Sequence, residues 1–325
     1  MALTPIDEIH ALQIQAGTLG RTAGHKFEGL LADKINAQKY PMTIRRPQGR
    51  HVFQGNPANL LVRYVASQLN ITKLNQASAI STGALATSEA GKTWLSVNGA
   101  TLSRCKSDLI LTLRPAALPS VTVGISMKQC NNTKPTNAQL YFSTARGFVS
   151  LLRGNGIPVS DEALTSLRRF CGDSGFRPSD NAHVLKVRAA DPRRFFWEEI
   201  GAIGLEEWQA LLSANQAQIT RLLLQKAYMD DPFTPEFVLH KTRRAQSWDT
   251  TEVAIYSIDE LVELSRAYQG LTTKRYSVSK GSYKDAPGVE HLAPRFGIVQ
   301  MQRGGQKQHP EQLQFNLAAG YFYKI

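Results

Sequence analysis

Ser107-Asp108-Leu109-Ile110-Leu111-Thr112-Leu113, followed after a turn by Val121-Thr122-Val123-Gly124-Ile125-Ser126-Met127-Lys128, is the stretch that decides how this chain folds. Both runs are short, apolar or β-branched, and bounded by Gly- and Pro-containing turns, which is the pattern of neighbouring strands. Asp108 opens the first. Ser126 and Lys128 lie two apart on the second, so they project from one face of it. With Thr93–Leu102 ahead of them, Ser107–Leu113 and Ser120–Met127 predict a meander of three strands.

Outward from that meander the periodicity is mostly helical. Upstream, Pro5 to about Gln38 predicts a helix, with Phe27, Leu30, Leu31 and Ile35 as its apolar stripe and Glu28 at the edge of that stripe. Tyr40 to Asn56 reads as a basic loop in which Arg45, Arg46, Arg50 and His51 could touch phosphates. Leu60, Leu61, Tyr64, Val65 and Leu69 repeat at helical spacing, and residues 77 to 91 read as a Ser/Ala/Thr/Gly-rich link with no strong element. Downstream, Leu140 to Leu152 predicts an amphipathic helix ending at Gly154 and Gly156. Ser160 caps the next helix, with Asp161 and Glu162 in its first turn. Pro192 to Tyr228 predicts two helices broken near Gly201 to Gly204, with Trp197, Ile200, Trp208, Leu211 and Leu212 facing inward. Thr251–Ile255 reads as a strand, Ile258–Ala267 as a helix, and Arg295–Arg303 and Gln312–Tyr323 as extended runs.

The composition narrows the function classes. A chain of 325 residues that is 42 % hydrophobic can bury a large core, which excludes disorder for most of it. Thirty-eight Lys and Arg against twenty-six Asp and Glu give a formal charge of +12, which favours polyanionic partners, nucleic acid first. No apolar run approaches the roughly 20 residues that span a bilayer, and the first residues lack a signal-peptide layout. No membrane association and a cytoplasmic location are therefore expected. Cys105, Cys130 and Cys171 form no CxxC pair, which argues against both a disulfide framework and a zinc site. Ala90-Gly91-Lys92-Thr93 imitates the end of a phosphate-binding P-loop, but Ala86 stands where that motif needs glycine, so no nucleotide cofactor is expected.

Hydrolysing a phosphodiester at neutral pH takes a divalent cation, an activated water and a cationic group to offset transition-state charge. An acidic residue opening one strand, beside a strand carrying a lysine, can assemble those parts. Residues 18 to 150 resemble the PD-(D/E)XK nuclease superfamily, to which most type II restriction endonucleases belong. The resemblance implies an α/β, restriction-endonuclease-like core, a central mixed sheet flanked by helices, over residues 1–175. Residues 176–325 would form an additional helical and β region for DNA recognition and dimerisation. It also implies that Asp108 binds the metal and that Lys128 orients or activates the attacking water. The sequence departs from the pattern at Ser107, where the family often has Pro, and at Ser126, where it usually has Asp or Glu. Glu28, in Gly24-His25-Lys26-Phe27-Glu28, is then the candidate for the missing carboxylate, because relatives carry a Glu on a helix ahead of the sheet. The carbonyl of Met127 would add another oxygen. The implied cofactor is magnesium (Mg2+), with manganese (Mn2+) as a substitute.

The partner this implies is double-stranded DNA, bound by a homodimer with one site per strand. Gln129, Asn131, Asn132 and Lys134 form an amide-rich segment suited to base edges and phosphates, and Arg146 would contact phosphate from the following helix. Lys241 and Arg243 belong to a basic cluster, and Arg303, Gln306 and Lys307 to a Gly-containing hairpin that could enter a major groove or be an ordinary solvated turn. The same site would serve a repair, junction-resolving or modification-dependent nuclease. A decayed site at Ser126 would instead leave a non-catalytic DNA-binding protein.

Overall fold

The computed structural model describes residues 24–82, 95–97, 100–102, 105–226, 233–279, 283–303 and 311–325. In chain order the first elements are helix α1 (24–36), strands β1 (Met42–Thr43) and β2 (Val52–Gly55), helix α2 (Pro57–Gln68) and strand β3 (Lys73–Ser81). A separate two-stranded hairpin, β4 (Leu95–Val97) with β5 (Ala100–Leu102), precedes β6 (Leu109–Pro115), β7 (Val121–Gln129) and β8 (Ala138–Ser143). Helices α3 (Ala145–Gly154), α4 (Asp161–Cys171), α5 (Ala182–Val187), α6 (Ala202–Ala214) and α7 (Gln216–Gln225) follow. The chain ends with β9 (Pro235–Lys241), β10 (Thr251–Ser257), α8 (Ile258–Ala267), β11 (Leu271–Tyr276), β12 (His291–Phe296), β13 (Val299–Arg303) and β14 (Leu313–Leu317).

The class is mixed α/β, as expected. Two compact units divide it: residues 1–138, 224–261 and 319–325 form the first, and 139–223 with 262–318 the second. The units do not follow a linear cut near residue 175, because β9 and β10 join the first unit's sheet from far along the chain. That sheet has the order β1-β3-β6-β7-β9-β10-β2. It is mixed, with β7 and β9 parallel and the pairs β3/β6, β6/β7 and β9/β10 antiparallel. Leu31 and Ile35 of α1 and Leu61, Val62 and Val65 of α2 pack with Leu111, Ile125, Met127, Leu239 and Val253 in one apolar core. Local chemistry starts the flanking helix α2: Asn56 accepts from the amides of Ala58 and Asn59, and Pro57 occupies the first turn.

Several expected elements differ. The part of the first helix before residue 24, and residues 83–91 of the link, lie outside the described residues. Residues 73–81, read in part as link, form a nine-residue strand in the central sheet. The small residues Ala77 and Ala79 are buried there, so sheet pairing overrides their weak strand preference. The third strand of the meander is therefore β3, while among the described residues 95–97 pair with 100–102 in a separate hairpin. The basic loop between Tyr40 and Asn56 includes two short strands, β1 and β2. Leu140 and Tyr141 belong to strand β8, and the helix starts only after Thr144, whose side chain accepts from the Gly147 amide. The later helical stretch holds only a short 3-10 turn (Trp197–Glu199) before the expected break at Gly201, and it breaks a second time at Asn215, between α6 and α7.

In the second unit, a five-stranded sheet of order β11-β12-β13-β14-β8 buries Phe296, Met301, Phe315 and Leu317. Helix α4 there starts at Ser160, whose hydroxyl accepts from the Ala163 amide, carries Asp161 and Glu162 in the first turn, and ends at left-handed Gly172.

Candidate active site

The sheet of the first unit brings the two motif strands side by side, with Leu109 opposite Ile125. Asp108 leads into β6, its amide donating to the Ile125 carbonyl at 2.9 Å and its carbonyl accepting from the Thr82 amide at 3.0 Å. Ser107 is buried and donates through Oγ to the Phe233 carbonyl at 2.6 Å. Proline could make no such bond. Opposite it Gly124 leaves the room this turn needs: a Cβ there would stand 2.1 Å from Ser107 Oγ and 2.7 Å from the Thr234 carbonyl.

Four neighbours converge on these strands. Asp108 Oδ2 accepts from the Met127 amide at 2.6 Å and from Ser126 Oγ at 3.4 Å. Lys128 Nζ donates to Ser126 Oγ at 3.0 Å and to the Met127 carbonyl at 2.9 Å, and sits 3.7 Å from Asp108 Oδ2. Its ammonium thus touches a carboxylate, a hydroxyl and a carbonyl, a set of hard oxygens. Ser126 itself is 1 % exposed, so it lines the floor of the site.

Glu28 on α1 is the second carboxylate. It is 8 % exposed, and its Oε2 is buried with no hydrogen-bond partner among the described residues. Burial first, then the neighbouring charge of Asp108, pushes its pKa up to about 7, while Lys128 opposes the rise. Glu28 is therefore a carboxyl with an unpartnered oxygen, close enough to Asp108 and Lys128 to feel both charges. Among the described residues no three His, Cys, Asp or Glu side chains gather to hold a metal by themselves. The hard oxygens present that could serve magnesium are the carboxylates of Asp108 and Glu28 and the carbonyl of Met127, a chemistry that magnesium accepts.

The remaining candidates divide. Gln129 lies beside α1, its Nε2 being 3.5 Å from where a Cβ on Gly24 would stand. Lys241 Nζ donates to Asn131 Oδ1 at 2.8 Å and lies 5.5 Å from the Phe27 ring centroid, and burial lowers its pKa. Asn132 and Lys134 are exposed, the Asn132 carbonyl accepting from the Arg244 amide at 2.8 Å. Arg243 is tied to Glu252 at 2.9 Å. Arg146 is exposed on α3, in the second unit. Arg303 corrects the expectation of a DNA-facing hairpin residue: its side chain is 5 % exposed, 3.6 Å from Asp191, and burial lowers its pKa to about 10. Gln306 and Lys307, like the P-loop-like segment at 90–93, lie outside the described residues.

One neighbour's place beside the site was not foreseen from the sequence. His240 on β9 is paired in register with Lys128 on parallel β7, and so shares its face of the sheet. Its Nδ1 is 3.4 Å from the Tyr321 hydroxyl, and burial, then Lys128, pushes its pKa down to about 3. A neutral imidazole behind the lysine follows. The apolar run Phe237-Val238-Leu239 just before it was the available signal of a strand.

No protein-family model matches the chain, and no curated protein matches it. Among solved structures, the restriction endonuclease MspI in complex with its cognate DNA is similar, with a TM-score of 0.43 and 13 % identity, covering 79 % of this chain and 76 % of that chain.

Proposed function

We propose that the chain is a metal-dependent deoxyribonuclease of the type II restriction kind, hydrolysing phosphodiester bonds in duplex DNA at a site built from Asp108, Glu28, Ser126 and Lys128. The observation that carries this reading is the cluster in which Lys128 Nζ lies within 3.7 Å of Asp108 Oδ2 and bonds Ser126 Oγ and the Met127 carbonyl. The carboxylates of Asp108 and Glu28, with the Met127 carbonyl, would hold magnesium, manganese substituting. The ion's part would be to polarise the phosphate and acidify a bound water. The protein's own groups do the rest: Lys128 donates to the attacking water or to a phosphoryl oxygen, Ser126 fixes the lysine's position, and Asp108 lies 3.7 Å from the ammonium on the neighbouring strand. Gln129, Asn131, Asn132, Lys134, Lys241 and Arg243 in the first unit, and Arg146 in the second, are proposed contacts to DNA. A homodimer, one site per strand, is the proposed assembly.

Incubating the purified protein with phage DNA and magnesium tests this directly. Discrete fragments that vanish with Lys128→Ala or on chelation are the expected result; no cutting in any divalent metal overturns it. A second reading, a DNA-binding protein that does not cut, is favoured by one observation, the serine at position 126. Duplex binding with no metal-dependent cleavage would select it.

A further inference from the structure

The five-stranded sheet of the second unit carries a row of amides that the cleavage chemistry does not use. Arg295 on β12 donates through Nη2 to Gln300 Oε1 at 2.9 Å. Gln300 Nε2 donates to Gln302 Oε1 at 3.1 Å, and Gln302 Nε2 to Gln314 Oε1 at 3.2 Å. Gln314 Nε2 then donates to Gln139 Oε1 at 3.0 Å, on β8. Strand register produces the row: Arg295 stands opposite Gln300, and Gln302 opposite Gln314. Alternation along β13 and β14 sends Val299, Met301, Leu313 and Phe315 into the core and leaves these amides on the other face.

Two features suit this face to a polar, anionic partner. A primary amide offers two N–H donors and two acceptor lone pairs, and the row uses one of each at Gln302 and Gln314. Among the described residues each therefore keeps one donor and one acceptor position unused. Arg295 has no carboxylate within ion-pair distance among the described residues, and its Nε is buried without a hydrogen-bond partner. A half-buried guanidinium without a counter-ion is costly, and a polyanion approaching the face would supply the missing charge. Lys274 is exposed on β11, on the same side, since its neighbour two residues back, Thr272, pairs with Arg295.

We propose that this amide face reads base edges of duplex DNA, with Gln302 and Gln314 as the specificity-determining residues and Arg295 and Lys274 as the cations that hold the duplex against them. The geometry of the groups matches: a carboxamide pairs with the N6/N7 edge of adenine, and a guanidinium with the O6/N7 edge of guanine or with phosphate. The inference rests on the nuclease reading in taking duplex DNA as the substrate.

The test is enrichment of a randomised duplex library on the full chain without divalent metal, followed by sequencing. Wild-type protein should enrich a motif. Gln302→Leu and the size-matched Gln302→Glu should each lose about tenfold or more of the preference at one base-pair position, with Gln314→Leu affecting a neighbouring position. The melting temperatures of the variants identify any that fail to fold, and the Gln302→Glu variant preserves side-chain size where Leu does not. An unchanged motif in folded Gln302 and Gln314 variants overturns the inference, as does a wild-type protein that enriches no motif or prefers RNA. Failure of the nuclease reading looks different: the motif responds to the glutamines, yet no metal supports cutting.

Discussion

At the scale of single residues, the site is defined by which oxygens are satisfied and which are not. Lys128 bonds both Ser126 Oγ and the Met127 carbonyl, so Lys128→Ala removes a cation in contact with the strand oxygens, and magnesium-dependent cleavage is expected to fall by a factor of about 10² to 10⁴. Ser126→Asp should do the opposite for the metal: a third carboxylate beside Asp108 lowers the magnesium concentration at half-maximal cutting, while costing stability in its absence, and a metal titration of cleavage checks both. Glu28 makes the pH prediction. Its folded pKa, about 7, lies above its unfolded value near 4.5, so between those pH values the folded protein holds a proton that the unfolded chain has released. Stability therefore falls as pH rises through that window and levels off above it, by on the order of 3 kcal/mol at most. Thermal melts without metal should show this decline in wild-type protein and lose it in Glu28→Gln; an equal decline in both would remove Glu28 as its source.

At the scale of elements, the close approach of β7 to the 233–235 segment fixes where Asp108 begins. A Cβ at Gly124 would meet the Thr234 carbonyl at 2.7 Å and the Phe233 carbonyl at 2.9 Å, both backbone atoms that cannot swing aside. Gly124→Ala is thus expected to cost about 1–3 kcal/mol, read as a lowered urea midpoint, and to impair cutting through displacement of Ser107 and Asp108. Such pairings also explain what the sequence hides. The strands β6 and β7 were legible because each is a bounded, β-branched run. β3 was not, since Asn75, Gln76, Ser78 and Ser81 give it the composition of a linker, and only pairing with β6 makes it a strand. β9 pairs with β7 from more than 100 residues away, a contact that no local period encodes, so the place of His240 beside Lys128 could not be read from the sequence. The amide row was concealed differently: Gln300, Gln302 and Gln314 alternate with apolar residues in plain view, but the register that joins them belongs to the sheet.

At the scale of the whole molecule, the charge of +12 should appear as salt-dependent affinity for duplex DNA, but its share at each residue depends on what already neutralises it. Many arginines are internally spent: Arg168 on Asp173, Arg188 on Glu199, Arg243 on Glu252, and Arg193, Arg194 and Arg303 together on Asp191. Lys134 is exposed and has no ion-pair partner among the described residues, so a phosphate that meets it releases a full counterion. Each such contact contributes about 0.9 to the slope of log affinity against log salt. Lys134→Ala is therefore expected to reduce that slope by nearly one unit in metal-free binding, whereas Arg243→Ala reduces it less, because the freed Glu252 carboxylate was already balancing the guanidinium. Fluorescence anisotropy of a labelled duplex at stepped salt concentrations separates the two. Equal slopes for both variants would mean that the exposed lysine touches no phosphate, and that the affinity comes from charges elsewhere on the chain.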